Sequence, residues 1–205
     1  QGKKSLISEV VTGKVKIVDG ELVDRKPEEM KDSGVEWIGM MPKDWEVKKL
    51  KYLSKISTGN KDTQDAIEEG IYPFYVRSDN VEGSNDYSFD GEAILTAGDG
   101  VGVGKVFHYA NGKFAFHQRV YKISNFKFVY GKFLFYYIRE NFYKEVMKLS
   151  AKSTVDSLRY PMFADFKVTY PNKHEQSLII RYLDKRSNKI ESIITKTQQI
   201  GRAHV

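Results

Sequence analysis

The chain of 205 residues contains no cysteine, so disulfide bonds, thiolate metal sites and cysteine nucleophiles are excluded. It also lacks any apolar run of the roughly 20 residues that a membrane helix requires, and its first residues lack the apolar core of a signal peptide. We therefore expect a soluble protein without membrane contact. A reducing cytoplasm agrees with the absence of thiols.

A nucleotide-binding motif is also missing, although residues 98–105 form a glycine-rich loop that ends in a lysine. The Walker pattern requires glycine where Asp99 stands and a hydroxyl residue where Val106 stands, and the alternating glycines do not give the dinucleotide-binding spacing either. His117 has no acidic residue at a spacing typical of a catalytic triad. We therefore reject nucleotide binding at this loop and predict no active site.

The charged residues that are present comprise 33 lysines and arginines against 27 aspartates and glutamates, a net charge of +6. This mild excess favours a polyanionic partner, although many basic proteins bind no nucleic acid. The length suffices for one domain with a substantial core and for additional segments.

A helical pattern begins after Pro171, where Asn172 and Glu175 have the spacing of a capping box. Apolar residues then follow an alternating three- and four-residue spacing, interrupted by Arg186. We call four of them the seam: Ile179, Leu183, Ile190 and Ile193. Either the seam pairs with a partner helix as in a coiled coil, or the helix packs on its own domain.

The N-terminal residues 5–14 have the pattern of a helix end, with Gly13 as its stop signal. Residues 15–43 are polar and broken by glycine and proline, which predicts a linker that wraps the surface of the domain. Trp37 and Trp45 are the only tryptophans. We expect each to anchor the linker in the core rather than to stack on a base.

Between the two helices the sequence predicts short strands and one long helix. The elements are an amphipathic helix over 47–56, an edge strand over 72–76 that contains Pro73, a strand over 93–96, a strand-like run over 114–123 with a bulge at 117–119, and a helix over 132–149. The predicted fold class is α+β, with short, mostly antiparallel strands and an internal helix, followed by a long helix of the coiled-coil type.

Polar residues at the end of the strand over 72–76 have the chemistry of base readout. Arg77 can bridge guanine O6 and N7, and Asn80 can bridge adenine N6 and N7. The alternative is a turn in which Asp79 and Asn80 bind their own backbone. The two interpretations are compatible, and the sequence does not decide between them.

Three separated motifs together resemble the specificity subunit of type I restriction-modification enzymes. They are residues 5–14, residues 30–39 with 41–47, and residues 171–184, in which Glu175 is followed by Gln176. Such subunits carry two target recognition domains, separated by long helices that pair into an antiparallel coiled coil. The resemblance extends over nearly the whole chain and contains one recognition domain.

The resemblance implies an organisation and a function. Residues 1–14 would be the end of a conserved helix, 15–43 a linker, 44–170 the DNA target recognition domain and 171–200 the start of the next conserved helix. The chain would recognise one half of a bipartite DNA target in a prokaryotic cytoplasm and dock DNA adenine methyltransferase subunits and, in a complete enzyme, a restriction and translocation subunit. It would hold no cofactor itself, because S-adenosylmethionine, ATP and magnesium belong to those partners.

The expected contacts with double-stranded DNA come from loops. The resemblance places a recognition loop at Asn60 and Lys61, a glutamine at Gln118, and a turn of small residues at 150–155. The expected DNA-binding residues are Asn60, Lys61, Arg77, Ser78, Asn80, Lys105, Gln118, Arg119, Lys152, Ser153 and Thr154. Among them Lys61, Lys105 and Lys152 suit phosphates, whereas Arg77, Asn80, Gln118 and Arg119 suit base edges. His117 is expected to be structural.

Other functions remain open at this stage. The chain could be a scaffold that assembles methyltransferases without reading sequence, or the specificity module of a related restriction or phage-defence system; an enzyme is disfavoured. The seam is expected to be exposed and to cause self-association. Residues 201–205 break the helical pattern, and one back-translation of 200–205 coincides with a common sequencing-library adapter. We therefore expect a non-native tail.

Overall fold

The computed structural model describes residues 5–148 and 156–203, with side chains described up to residue 200. The helices are α1 (Leu6–Val11), α2 (Leu50–Leu53), α3 (Gly131–Lys148), α4 (Tyr160–Ala164) and α5 (Lys173–Ala203). The strands are β1 (Val15–Val18), β2 (Glu21–Asp24), β3 (Met30–Asp32), β4 (Met40–Pro42), β5 (Glu46–Lys49), β6 (Lys55–Thr58), β7 (Tyr72–Tyr75), β8 (Val81–Ser84), β9 (Phe89–Ala97), β10 (Phe107–Phe116), β11 (Val120–Ser124) and β12 (Lys167–Tyr170).

A six-stranded sheet in the order β6-β11-β9-β10-β7-β8 forms the centre of the domain. Neighbouring strands are antiparallel except for β10 and β7. The predicted α+β class with mostly antiparallel strands is confirmed. The prediction of an edge strand around Pro73 is wrong, because β8 is the edge. Proline is tolerated in β7 because the ladder to β10 involves only Phe74 and Tyr75.

Two glycines interrupt the hairpin of β9 and β10. Gly91 and Gly112 lie opposite each other in this hairpin, and both have the positive φ that glycine tolerates. A turn stands where the sequence predicted a bulge: Val120 N donates to His117 O over 2.9 Å. β10 and β11 thus lie on opposite sides of β9, joined by three residues, rather than forming one bulged strand.

The main core lies between one face of the sheet and α3. β9 alternates between two clusters: Ile94 belongs to the main core, whereas Leu95 belongs to a smaller cluster on the other face. The predicted helix over 132–149 is confirmed as α3 through Lys148, the last residue described there. The N-terminal helix end is confirmed as α1, followed by Gly13 with φ +74°.

The segment 15–43 is more regular than a linker. It contains two antiparallel pairs, β1 with β2 and β3 with β4. The tryptophans anchor its end as predicted: Trp45 is 1% exposed, and the Trp37 ring stacks on Phe166 with centroids 5.6 Å apart.

The amphipathic helix predicted over 47–56 is wrong except for the single turn α2. Before that turn, β5 pairs with β12. After it, β6 pairs with β11. The ladder bonds to these distant strands override the local three-residue spacing, while Leu50 and Leu53 are buried as expected.

The start of α5 follows the predicted cap only in part. Asn172 Oδ1 accepts a hydrogen bond from Glu175 N over 2.9 Å. The Glu175 carboxylate does not accept the hydrogen bond from the backbone N–H of Asn172 that a capping box would include. It binds the Arg25 guanidinium and accepts from Trp45 Nε1 over 3.1 Å, which ties the helix to the N-terminal segment.

Gln176 fastens the same helix turn to the loop before α3. Its side chain is fully buried, and its Nε2 donates to the Phe128 and Pro171 carbonyls over 2.9 Å each. Its Oε1 accepts from Tyr130 N over 2.8 Å. The Glu175-Gln176 pair therefore fixes the direction in which α5 leaves the domain.

The seam divides into two halves. Ile179 and Leu183 are 3% and 1% exposed and belong to the main core, so their predicted exposure is wrong. The reason is that this part of α5 packs against α1, α3 and β1. Ile190 and Ile193 are 50% and 54% exposed, as predicted.

The predicted break at residue 201 is wrong, since the α5 backbone remains helical through Ala203. The native or foreign origin of 201–205 stays a hypothesis. Among the helices of the described residues, none has the length and apolarity to cross a membrane.

Candidate nucleic-acid interface

Four loops that follow β6, β7, β9 and β10 meet at one end of the sheet. They comprise residues 59–62, 77–80, 98–105 and 117–119, and we call them the rim. Backbone hydrogen bonds join three of them: Gln118 N donates to Lys61 O over 2.8 Å, and Gly98 N donates to Arg119 O over 2.8 Å. These hydrogen bonds hold the three loops of the rim in fixed positions relative to each other.

Glycine permits these loops to approach each other closely. A Cβ at Gly102 would lie 2.2 Å from Arg77 O, and a Cβ at Gly59 would lie 2.1 Å from Phe116 O. No side chain fits at either position without movement of the backbone. The glycines thus serve contacts within the rim.

One carboxylate, Asp99, binds two of the predicted base readers. Arg77 Nη1 donates to Asp99 Oδ1 and Arg119 Nη1 donates to Asp99 Oδ2, each over 2.8 Å. The arginine side chains are 43% and 62% exposed, against 20% for Asp99. Burial alone would raise the pKa of Asp99, but the hydrogen bonds from the two arginines outweigh it and the pKa is lowered. Asp99 is thus held as an anion.

A second carboxylate, Asp62, orients the neighbouring side chains. Gln118 Nε2 donates to Asp62 Oδ2 over 2.9 Å. His117 is 2% exposed, and its Nδ1 accepts from Arg119 N over 2.9 Å. Burial, followed by the charge of Arg77, lowers the pKa of His117, which favours the neutral ring. Because Nδ1 accepts a hydrogen bond, the neutral ring would carry its proton on Nε2. The structural role predicted for His117 is confirmed.

Lys61 is a paired cation rather than a free one. Its Nζ lies 2.6 Å from Asp86 Oδ1, and its side chain is 16% exposed. A phosphate would have to compete with this carboxylate or bind beside it. Lys105, in contrast, lies exposed at the end of its loop.

Residues 77–80 form a bend, which is close to the turn interpretation of this segment. Ser78 Oγ donates to Asn80 O over 3.2 Å, so serine makes the side-chain bond that was expected of Asp79 and Asn80. His108 Nε2 lies 3.2 Å from Ser78 O. The Asn80 side chain remains exposed.

The predicted DNA-binding residues thus fall into three groups. Lys61, Arg77, Gln118 and Arg119 belong to one connected set of contacts. Asn60, Ser78, Asn80 and Lys105 lie on the same rim outside that set. Lys152, Ser153 and Thr154 lie outside the described residues.

Sequence reasoning missed the three carboxylates that hold this set, Asp62, Asp86 and Asp99. Asp99 belongs to one loop and binds arginines of two others, and Asp62 and Asp86 likewise bind residues of a different loop. No short-range spacing could reveal such partners. The one available signal was an acidic residue in each of three polar loops.

An open depression of about 410 Å³ lies beside this network. It is lined by Thr58, Gly98, Asp99, Gln118, Arg119, Tyr121, Ser157 and Leu158. Its polar wall contains amide and guanidinium donors and one carboxylate acceptor. This combination suits the edge of a base better than a phosphate alone.

Comparison of the sequence with known proteins gives one family. A family model described as "Type I restriction modification DNA specificity domain" matches residues 42–202. The Type I restriction enzyme EcoDI specificity subunit of Escherichia coli is 33% identical over 162 residues, which are 79% of this chain and 35% of that subunit. The chain thus spans about a third of the length of this relative.

Solved structures agree on the fold. The type I restriction-modification S subunit from M. genitalium superposes with a TM-score of 0.61 at 16% identity, over 77% of this chain and 44% of that one. The HsdS subunit from Thermoanaerobacter tengcongensis gives a TM-score of 0.52 at 13% identity, over 80% and 42%. At such identities the likeness shows the fold alone.

Proposed function

This chain belongs to the family of type I restriction modification DNA specificity domains, and from that premise we propose that it reads one half of a bipartite DNA target. The observation that carries the proposal is the convergence on the rim of Arg77, Gln118 and Arg119. Their side chains can form paired hydrogen bonds to base edges.

The rim supports a division of labour between base readers and phosphate contacts. Arg77, Asn80, Gln118 and Arg119 expose amide or guanidinium donors, which suit base edges. Lys105 presents a point charge on a glycine-rich loop, and Lys61 and Lys152 are proposed for the same role. Asn60, Ser78, Ser153 and Thr154 complete the proposed contact set as neutral hydrogen-bonding groups.

We propose that the exposed half of α5 docks the partners. Ile190, Ile193, Ile194 and Ile200 are 50–61% exposed, which suits an apolar seam that a partner helix covers. The proposed partners are a second conserved helix, DNA adenine methyltransferase subunits and, where present, a restriction subunit. The chain itself is proposed to be non-catalytic and cytoplasmic, with S-adenosylmethionine, ATP and magnesium bound by those partners.

Methylation mapping tests the function as a whole. The gene is expressed with its methyltransferase subunit in a host that lacks other adenine methylation, and the methylated positions are read from genomic DNA. We expect a bipartite motif, one half of which changes when this domain is exchanged for another. Methylation without any sequence motif would favour the scaffold interpretation instead.

Binding of single variants then tests the individual contacts. The Arg77→Ala, Asn80→Ala, Gln118→Ala and Arg119→Ala proteins are measured on the mapped target and on a scrambled duplex across a salt series. Loss of a reader should cost roughly 1–3 kcal/mol on the target and much less on the scrambled duplex. Equal losses on both duplexes for all four variants would place base readout elsewhere.

The lysine variants give the opposite pattern. Lys105→Ala should weaken binding to both duplexes alike and reduce the salt slope by about one unit. Lys31→Ala is a matched control, because Lys31 is an exposed lysine of β3 outside the rim. An equal effect of both changes would mean that only the net charge matters.

A further inference from the structure

Asp99 lies at the centre of the rim, although its negative charge would repel the phosphates of DNA. Asp99 makes a β-bridge with Ser157, and the preceding Gly98 receives a backbone hydrogen bond from Leu158 N over 2.7 Å. Gly98 N in turn donates to Arg119 O over 2.8 Å. The backbone at residues 98–99 is therefore held by residues 157–158 on one side and by Arg119 on the other. The position of the Asp99 side chain is fixed at its backbone.

Both arginines bind this carboxylate in the same way. Arg77 and Arg119 each use Nη1, and each takes a different oxygen of Asp99. Neither guanidinium makes another hydrogen bond to residues 5–148 or 156–203. Among those residues the Nε–Nη2 edge of each group has no partner, and that edge carries the two parallel donors that match guanine O6 and N7.

Asp99 also changes the local charge. Two guanidinium groups beside one carboxylate carry a net charge of +1 instead of +2. Unpaired arginines would bind phosphates of any sequence, because phosphate contacts carry no sequence information. A shared carboxylate lowers this non-specific attraction while leaving the hydrogen-bonding edges in place.

We propose that Asp99 is a positioning residue for base readout, which holds Arg77 and Arg119 by their Nη1 atoms and keeps both from indiscriminate phosphate binding. The inference rests on the proposed function of the rim. It predicts that removing an acidic residue raises affinity for DNA in general and lowers selectivity, an outcome opposite to that of a damaged fold.

The test compares the wild-type chain with Asp99→Asn on the mapped target and a scrambled duplex. Asparagine keeps the size but loses the charge and one of the two acceptor oxygens. We expect scrambled DNA to bind roughly three- to tenfold more tightly near 0.1 M salt, with a salt slope larger by about one unit. The ratio of target to scrambled affinity should fall by roughly tenfold or more.

A matched control separates charge from position. Asp86→Asn removes the same charge from the carboxylate that pairs with Lys61, which is proposed to bind phosphate rather than bases. It should raise both affinities together and leave their ratio unchanged. Asp99→Glu restores the carboxylate with one more methylene, so it should return the scrambled-DNA affinity to the wild-type value and recover part of the selectivity.

Two results would overturn the inference. One is an Asp99→Asn protein that loses affinity for both duplexes without an increase in salt slope, as a purely structural role requires. The other comes from ¹⁵N relaxation of the arginine Nε–Hε groups without DNA, with signals assigned through Arg77→Lys and Arg119→Lys. We expect both groups to be ordered in the wild type and mobile in Asp99→Asn; mobile groups in the wild type contradict the inference.

The relaxation measurement also keeps the two proposals distinct. If the wild type binds target and scrambled DNA equally, the proposed function fails. Arginines that are ordered by Asp99 and released by Asp99→Asn would still establish its positioning role. If the wild type discriminates but its arginines are mobile, the function stands and the role of Asp99 fails.

Discussion

Two arginines of this domain each bind a carboxylate, but one of them is buried and the other is exposed to solvent. The Arg25 side chain is 8% exposed, binds Glu175 and lies with its guanidinium carbon 5.8 Å from the centre of the Trp45 ring. The Arg77 side chain is 43% exposed and binds Asp99 through Nη1 alone. The first pair joins the N-terminal segment to α5, whereas the second lies on the rim.

The difference shows that a carboxylate partner does not by itself define the role of an arginine. A buried guanidinium has lost its water, so its partner is required for stability. An exposed guanidinium keeps most of its hydration, and a surface ion pair adds about 0–1 kcal/mol at most to folding. The pair at α5 is therefore structural, and the pair on the rim is available for function.

A third cation extends the comparison, because it is buried without a carboxylate. Lys122 is 9% exposed, and its Nζ lies 3.4 Å from the ring centre of Phe89 and 5.3 Å from that of Phe116. Within the described residues it has no ion pair. Burial, with the charge of Lys55 as a smaller cause, lowers its pKa to about 8.

The largest effect is expected at the buried pair. Glu175→Ala should reduce the free energy of unfolding by roughly 3–5 kcal/mol, because it leaves the Arg25 charge buried and unpaired. Urea denaturation followed by circular dichroism measures the loss. Arg25 Nε is buried without a hydrogen-bond partner among the described residues, so the loss of Glu175 would leave this guanidinium with still fewer of its hydrogen bonds satisfied.

Two controls sharpen this measurement. Asp165→Ala breaks the pair between Lys49 and Asp165, whose side chains are 35% and 55% exposed, and should cost far less than Glu175→Ala because water screens an exposed pair. The double change Arg25→Met with Glu175→Gln removes both charges and keeps an acceptor for Trp45 Nε1, so most of the stability should return. If the Glu175→Ala protein is as stable as the Asp165→Ala protein, the Arg25 side chain has moved its guanidinium group into solvent.

A smaller effect of opposite sign is expected at Lys122. Lys122→Met should raise the free energy of unfolding at pH 7 by roughly 1–3 kcal/mol, because a similar apolar chain replaces a desolvated charge, less the lost cation–π attraction. The folded-state pKa of about 8 lies below the ordinary value of 10.5. The unfolded chain therefore binds more protons between these pH values, and wild-type stability should rise with pH there.

The pH profile is the test that distinguishes charge from packing. Urea midpoints at pH 7 and pH 9.5 should differ in the wild type by more than they do in Lys122→Met. Lys31→Met controls for the removal of an exposed lysine, because Lys31 lies in β3, outside the sheet that contains Lys122. A wild-type midpoint that does not rise over this range would mean that Lys122 keeps its proton in the fold.

The same contrast between buried and exposed groups explains what the sequence could predict. The start of α5, the helix α3 and the tryptophan anchors depend on neighbouring residues or on one apolar face, so local signals suffice. Asn172 caps the helix that begins one residue later. The strands β5 and β6 could not be predicted locally, because their partners β12 and β11 are far away in sequence.

The rim shows the limit for the candidate site. Arg77, Gln118 and Arg119 were identifiable from the hydrogen-bonding capacity of their side chains and from the family resemblance. The carboxylates that position them were not, because Asp99 meets Arg77 and Arg119 only after β9, β7 and β10 have assembled. The sequence thus indicates the candidate readers, and only the tertiary structure shows the carboxylates that bind them.

The smallest effect on folding, and the largest on assembly, is expected in the exposed half of the seam. Replacing both Ile190 and Ile193 with Glu should leave the free energy of unfolding within about 0.5 kcal/mol of the wild type, because both are half exposed. The same change should abolish self-association in sedimentation velocity, since it places charges in the surface that a partner helix would cover.

Leu183→Glu is the contrasting variant: Leu183 is 1% exposed in the main core, so a buried carboxylate there should unfold the domain. A wild-type chain that sediments as a monomer at all concentrations would show that the exposed isoleucines do not pair with each other, and would leave a different protein as the partner of α5.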